Sequence, residues 1–156
     1  PTLREALEFT RDHKWRVNIE IKDLSGTTGD ASVVEKVVAL VEALDMVDDV
    51  LISSFNHTYL EQVKAINPAL ATGALVWNPV IDTVGLLDRL QAQAYNPRDG
   101  IILPEAIARL REQGFAVNIY TVNDQATMNT LVEAGASGIF TDFPQRLKPI
   151  LDGCRP

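Results

Sequence analysis

The sequence holds one cysteine, Cys154, and only two histidines, His13 and His57. A single thiol excludes an internal disulfide framework and a cysteine-based zinc site. Cations are also scarce, 14 Lys and Arg against 21 Asp and Glu, for a net charge of −7. That deficit argues against non-specific binding to nucleic acid or to an anionic membrane. It leaves room for an anionic small molecule held by a local cation. No apolar run reaches the length of a membrane-spanning helix. The chain begins Pro1-Thr2-Leu3, without Met and without a signal-like segment, so the natural N-terminus is expected to lie elsewhere. One cysteine suits a reducing or an oxidising compartment, which leaves location open with the cytoplasm slightly ahead.

What is present fits one domain: 156 residues, 46% hydrophobic and 22% charged. Residues 2–13 read as a helix capped by Thr2, with Glu5 completing a capping box. A strand over 16–22 follows, then a Gly/Ser/Thr/Asp loop and a helix over 31–46 capped by Asp30 or Ser32. Strands are expected at 49–55, 71–77, 94–97, 115–122 and 138–143. Between and after them lie helices at 58–66, 80–93, 104–113, 124–134 and 144–152. Asn67-Pro68 ends one of these, Pro104 starts another, and Gly114 and Gly135 close two.

Short aliphatic strands alternating with helices signal a parallel sheet with helical crossovers. Two architectures compete. A doubly wound sheet usually carries a glycine-rich turn after its first strand, and "SGTTG" after Lys22 does not match that turn. A (β/α) barrel instead clusters polar groups at strand C-terminal ends. Glu20, Lys22, Ser53, Ser54, Trp77, Asn96, Tyr120, Asn123 and Asp142 all fall at or just past such ends. The expected fold is α/β, a TIM-type (β/α) barrel that is incomplete.

"RVNIEIK", residues 16–22, poses the chemical question. Val17, Ile19 and Ile21 share one strand face, and Asn18, Glu20 and Lys22 the other. A buried carboxylate is costly unless it is paired or bound to a metal. Lys22, two residues on, can compensate Glu20 or receive an anionic substrate. The plain alternative is a Glu–Lys ion pair joined to nothing else. Hard cations such as Ca2+ and Mg2+ favour carboxylate oxygens.

"NIEIK", "LISSF", "TVND" and "GIFTDFP", in this order and spacing, resemble the glycerophosphodiester phosphodiesterase family of metal-dependent barrel enzymes. "PTLREAL" is similar to the helix before that family's third strand, and "INPALATGAL" to its segment into the fifth. The resemblance runs from Pro1 to about Ile150. Family members begin with His-Arg-Gly, Glu-x-Asp and His-Asp segments, which hold both catalytic histidines and two metal carboxylates. None of these occurs here, so the sequence resembles barrel units three to eight, lacking the first two strand-helix units.

The resemblance implies hydrolysis of a glycerophosphodiester to glycerol phosphate and an alcohol, with a divalent metal, Ca2+ or Mg2+. It places Glu20 as a metal carboxylate and Lys22 beside the substrate phosphate. Phe55 and Tyr120 would line the pocket, with core packing as the alternative for each. Asn96 could bind substrate or cap the turn at Pro97. Asn123 and Asp124 are expected to cap the next helix, and Asp142 to order a loop or cap the last one. His13 reads as a surface residue and His57 as a non-catalytic position at a helix start. The catalytic acid–base pair is not in this sequence, so little turnover is expected of these residues alone. A lysine Schiff-base role for Lys22 fits its position and nothing else. A non-enzymatic remnant that binds or assembles is the second reading, because a partial barrel leaves open edges that favour dimerisation, swapping or a completing partner.

Overall fold

The computed structural model describes residues 1–153, so Cys154 lies outside the described residues. The chain divides into two compact units, Pro1–Ala74 with Leu87–Ala92, and Leu75–Leu86 with Gln93–Pro156.

The first unit opens with helix α1 (Leu3–Asp12). Thr2 Oγ1 accepts from the Glu5 amide at 3.3 Å, and the Glu5 carboxylate accepts from the Thr2 amide at 2.7 Å. These reciprocal bonds satisfy donors that a helix start leaves open. Strand β1 (Val17–Glu20) runs parallel to β2 (Val50–Ser54), and β2 runs parallel to β3 (Ala71–Val76). Helices α2 (Val33–Ala43) and α3 (His57–Ile66) make the crossovers. Leu7, Ile19, Val38, Val41, Met46, Ile52, Val63 and Leu70 belong to the buried core of this unit. Lys64 is buried with them, and its Nζ donates to the carbonyls of Leu70 at 2.6 Å and Pro68 at 3.3 Å. Burial lowers the pKa of its ammonium.

One helix start differs from the sequence expectation. Neither Asp30 nor Ser32 caps α2 with its side chain; a 3-10 turn over Asp30–Ser32 leads into Val33 instead. Asp30 is engaged elsewhere, accepting from the Tyr59 hydroxyl at 2.5 Å.

Strand β3 and helix α4 (Thr83–Leu90) pass through both units. Helix α4 starts three residues later than the sequence suggests, where Asp82 Oδ1 accepts from the Gly85 amide at 2.9 Å. The second unit carries β4 (Ala94–Pro97), β5 (Ala116–Ile119) and β6 (Gly138–Ile139). Helices α5 (Pro104–Glu112), α6 (Gln125–Glu133) and α7 (Pro144–Gly153) alternate with them. Gly114, just past α5, takes φ +91°, a conformation that costs other residues strain.

In each unit the strands follow chain order, β1-β2-β3 in the first and the end of β3, β4, β5, β6 in the second. A doubly wound sheet reverses its order at a switch point, and among the described residues neither unit shows a reversal.

Gly138 shows why one close approach needs glycine. A Cβ there would meet Asn118 Oδ1 at 2.7 Å, inside contact distance. Gly138→Ala is therefore expected to cost about 1–3 kcal/mol through overpacking, measured by urea unfolding. An unchanged midpoint would mean that the Asn118 amide is free to move aside.

Candidate functional site

In the first unit, polar groups gather where β1 ends. The β1–β2 register sets Glu20 beside Ser53, and the β2–β3 register sets Ser53 beside Gly73. Asn18, two residues back, lies on the Glu20 face. Lys22 Nζ donates to Glu20 Oε1 at 2.7 Å, with side-chain exposures of 74% for the lysine and 29% for the glutamate. Phe55 follows β2 and is half-buried, two residues beyond Ser53.

The chain around Lys22 is pinned on both sides. Ile21 donates its amide to the Ser53 carbonyl at 2.8 Å, and Ser54 Oγ donates to the Ile21 carbonyl at 2.7 Å. Asp23 Oδ1 accepts from the Ser25 hydroxyl at 2.6 Å, the Ser25 amide at 3.0 Å and Asn56 Nδ2 at 3.0 Å. Those bonds, the two from Ser25 first, hold the Asp23 carboxyl below the usual carboxylate value. The Tyr59 hydroxyl accepts from the Leu24 amide at 3.1 Å. Its bond to Asp30 raises the phenol pKa above the ordinary value.

Two side-chain oxygens in this group lack hydrogen-bond partners, Asn18 Oδ1 and Ser53 Oγ. Ser53 is fully buried. An unsatisfied buried polar group costs roughly 1–3 kcal/mol.

In the second unit, Asn96 is fully buried, and its Oδ1 accepts from Asn118 Nδ2 at 3.0 Å. It does not cap the turn at Pro97, because its amide is drawn sideways to β5. Asn96 Nδ2 has no partner. Tyr120 donates its hydroxyl to the Val76 carbonyl at 2.7 Å and packs edge-on against Trp77, ring centroids 5.9 Å apart. Asp124 caps α6 as expected, accepting from the Thr127 amide at 2.8 Å. Asn123 does not cap it: its Nδ2 donates to Asp142 at 2.8 Å, while its Oδ1 accepts from the Asp142 amide at 3.0 Å. Asp142 thus orders a loop. His13 lies exposed at the end of α1, its Nδ1 2.8 Å from the Phe9 carbonyl, and His57 begins α3.

The chain matches the glycerophosphoryl diester phosphodiesterase family over residues 1–146. It is 33% identical over 147 residues to a glycerophosphodiester phosphodiesterase of Caldanaerobacter subterraneus, covering 94% of this chain and 60% of that protein. The chain belongs to the glycerophosphoryl diester phosphodiesterase family. A Bacillus altitudinis glycerophosphodiester phosphodiesterase is 28% identical over 149 residues, again 94% of this chain and 60% of the relative. The chain therefore spans about three-fifths of the length of these curated relatives. An Oleispira antarctica phosphodiesterase, solved with the product sn-glycerol-3-phosphate, superposes with a TM-score of 0.87 at 24% identity. That match covers 97% of this chain and 61% of the other. At that identity the likeness is one of fold.

For this family chain, the fit of a divalent cation turns on the donor set. Among the described residues no group of three or more His, Cys, Asp or Glu could hold a metal. Glu20 is joined on its strand face by Asn18 Oδ1 and, across the ladder, by Ser53 Oγ. A carboxylate with neutral oxygens beside it fits a hard cation such as Ca2+ or Mg2+. The pairing of Glu20 with Lys22 was legible in sequence from strand parity. Asn118 and Ser53 had no role assigned there; Asn118 faces Asn96 only through tertiary pairing, and Ser53 differs from Ser54 only by register. A cavity of about 430 Å³ in the second unit is lined by Val80, Ile81, Tyr95, Leu103 and Leu110, among others, and by none of the expected site residues.

The Asp23 bonds set a sign for pH dependence. A carboxyl whose folded pKa is lowered contributes stability above its ordinary value of 3.8, lost as pH falls through the folded value. Asp23→Asn is expected to flatten the acid side of the melting-temperature profile, followed by circular dichroism. Parallel acid limbs for the two proteins would remove Asp23 from the stability of this loop.

Proposed function

We propose that these residues are six strand-helix units of a closed (β/α) barrel that hydrolyses glycerophosphodiesters with a divalent cation. The observation that carries this reading is the Glu20–Lys22 pair, 2.7 Å apart at the C-terminal end of β1 in a chain of this family. Active sites of such barrels sit at the strand C-terminal ends. The product complex of the Oleispira antarctica neighbour supports a small phosphorylated ligand.

In the reaction, water attacks phosphorus and the bond from phosphorus to the alcohol oxygen breaks. Negative charge grows on the phosphoryl oxygens, and protons leave the water and reach the alcohol. Ca2+ or Mg2+, when bound, neutralises charge on those oxygens. Glu20, with Asn18 and Ser53 beside it, would hold it. Lys22 meets a phosphoryl oxygen with its ammonium, a donor aimed where charge develops. Phe55 lines the ligand side of the first unit. In the second, Tyr120 and Asn96 offer an aromatic wall and an amide donor. The proton transfers, worth about 10²–10⁴-fold, need a pair of groups that the family resemblance puts outside this sequence. His13, turned to its own helix carbonyl, and His57, at the start of α3, are not assigned that work. Alone, the 156 residues are expected to show little turnover.

The test uses the protein carrying all barrel units and follows alcohol release from a glycerophosphodiester with and without Ca2+ or Mg2+. Glu20→Gln is expected to reduce the metal-dependent rate to the metal-free background. A metal-dependent rate equal to wild type would take Glu20 out of the mechanism.

A further inference from the structure

Two neighbouring serines on β2 have opposite circumstances. Ser54 Oγ is fully used, donating to the Ile21 carbonyl at 2.7 Å and accepting from the Asn56 amide at 3.1 Å. Ser53 Oγ is as deeply buried and has no partner. Burial of a hydroxyl without a hydrogen bond is unfavourable, and alanine at such a position removes the penalty with almost no change in volume. A serine kept there for the fold alone is hard to justify.

Its surroundings give the reason. Ser53 stands in register with Glu20, so the two side chains leave the sheet on the same face. Two residues before Glu20, on that face again, Asn18 Oδ1 is also without a partner. One carboxylate and two unsatisfied neutral oxygens thus lie on one face of two paired strands. Gly73, next in register beyond Ser53, adds no side chain to it. Oxygen atoms without donors, grouped around a carboxylate, match what a hard divalent cation or its bound water takes up. A phosphoryl oxygen fits less well, because Asn18 Oδ1 and Glu20 would repel it.

We infer that Ser53 is a cation-side residue whose Oγ, with Asn18 Oδ1, completes the oxygen shell of the divalent ion that Glu20 would hold. Ser53 reaches the ion directly or through an ion-bound water. The inference rests on the metal-dependent reading given above. It adds neutral ligands that the sequence comparison does not assign.

The test is thermal unfolding of the protein carrying all barrel units, with and without CaCl2 or MgCl2, for wild type, Ser53→Ala, Ser54→Ala and Glu20→Gln. Without metal, Ser53→Ala is expected to melt at or above wild type, and Ser54→Ala below it. With metal, wild type is expected to melt higher, with the increase at least halved in Ser53→Ala and lost in Glu20→Gln. If Ser53→Ala melts below wild type without metal, as Ser54→Ala does, the hydroxyl has a structural task and the inference falls; the hydrolase reading stands. A metal-induced increase of wild-type size in Ser53→Ala overturns it too. No increase in wild type, or an undiminished one in Glu20→Gln, defeats the metal reading itself, and the inference with it.

Discussion

The register of β1 against β2 is the constraint on which the first unit depends. Ile19 lies beside Ile52, both buried, and Glu20 lies beside Ser53. Side chains alternate across a strand, so a slip of one residue would turn the isoleucines out and the polar pair in. Burying the isoleucines therefore forces Glu20, Ser53 and Asn18 onto the opposite face. The next residues are fixed by the same ladder, since Ser53 and Ser54 hold both polar groups of the Ile21 backbone. The location of the polar group is thus a consequence of core packing, which is why it sits at a strand end and not on a mobile loop.

The Glu20–Lys22 pair adds little to folding by comparison. The lysine side chain is 74% exposed, and exposed ion pairs contribute roughly 0–1 kcal/mol. Water screens the pair and competes for both partners. Weakness has a use here. A partner held so lightly is exchanged at small cost when a phosphate or a cation offers a stronger interaction. In a chain with a net charge of −7, the anionic one of these, a phosphate, is helped by a local cation such as Lys22. The pair thus contributes little as a structural bridge, which suits the ligand role proposed above.

Sequence shows interactions that are local and hides those that cross the fold. The Thr2–Glu5 box was readable because both partners lie within three residues. Asp30 was misread as a cap because Tyr59, 29 residues away, claims its carboxylate. For Asn96 the sequence offers a substrate contact or a cap for the turn at Pro97, yet its hydrogen-bond partner is Asn118, 22 residues on. The last strand shrank to Gly138–Ile139 although its apolar run is longer. Beyond it the Phe140 amide donates to Ile119 and the Phe140 carbonyl accepts from Val122, which keeps the chain beside β5 without a regular ladder. Glu20 and Lys22 were visible from the period of two in a strand. Ser53 was visible as a strand-end polar residue but its missing partner was not, because "SS" in a sequence gives no hint which hydroxyl finds a carbonyl and which finds nothing.

That asymmetry is the more informative part of the architecture. A folded chain satisfies nearly all of its buried polar groups, so an exception within a well-paired neighbourhood calls for a cause. Ser54, Asn56 and Tyr59, within six residues of Ser53, are all hydrogen-bonded, as is Asp23, to which Asn56 donates. Poor packing of the region therefore does not explain the Ser53 orphan. The second unit repeats the pattern independently: Asn96 Nδ2 is buried and unpaired beside an amide whose other neighbour is a glycine with no room for a side chain. Ser53 is the fourth of five residues in β2 and Asn96 the third of four in β4, so each of these two lies near the C-terminal end of its strand. Stability left unrealised at such positions suits the ligand role proposed above, because a group already satisfied by its own protein has nothing to offer a second partner.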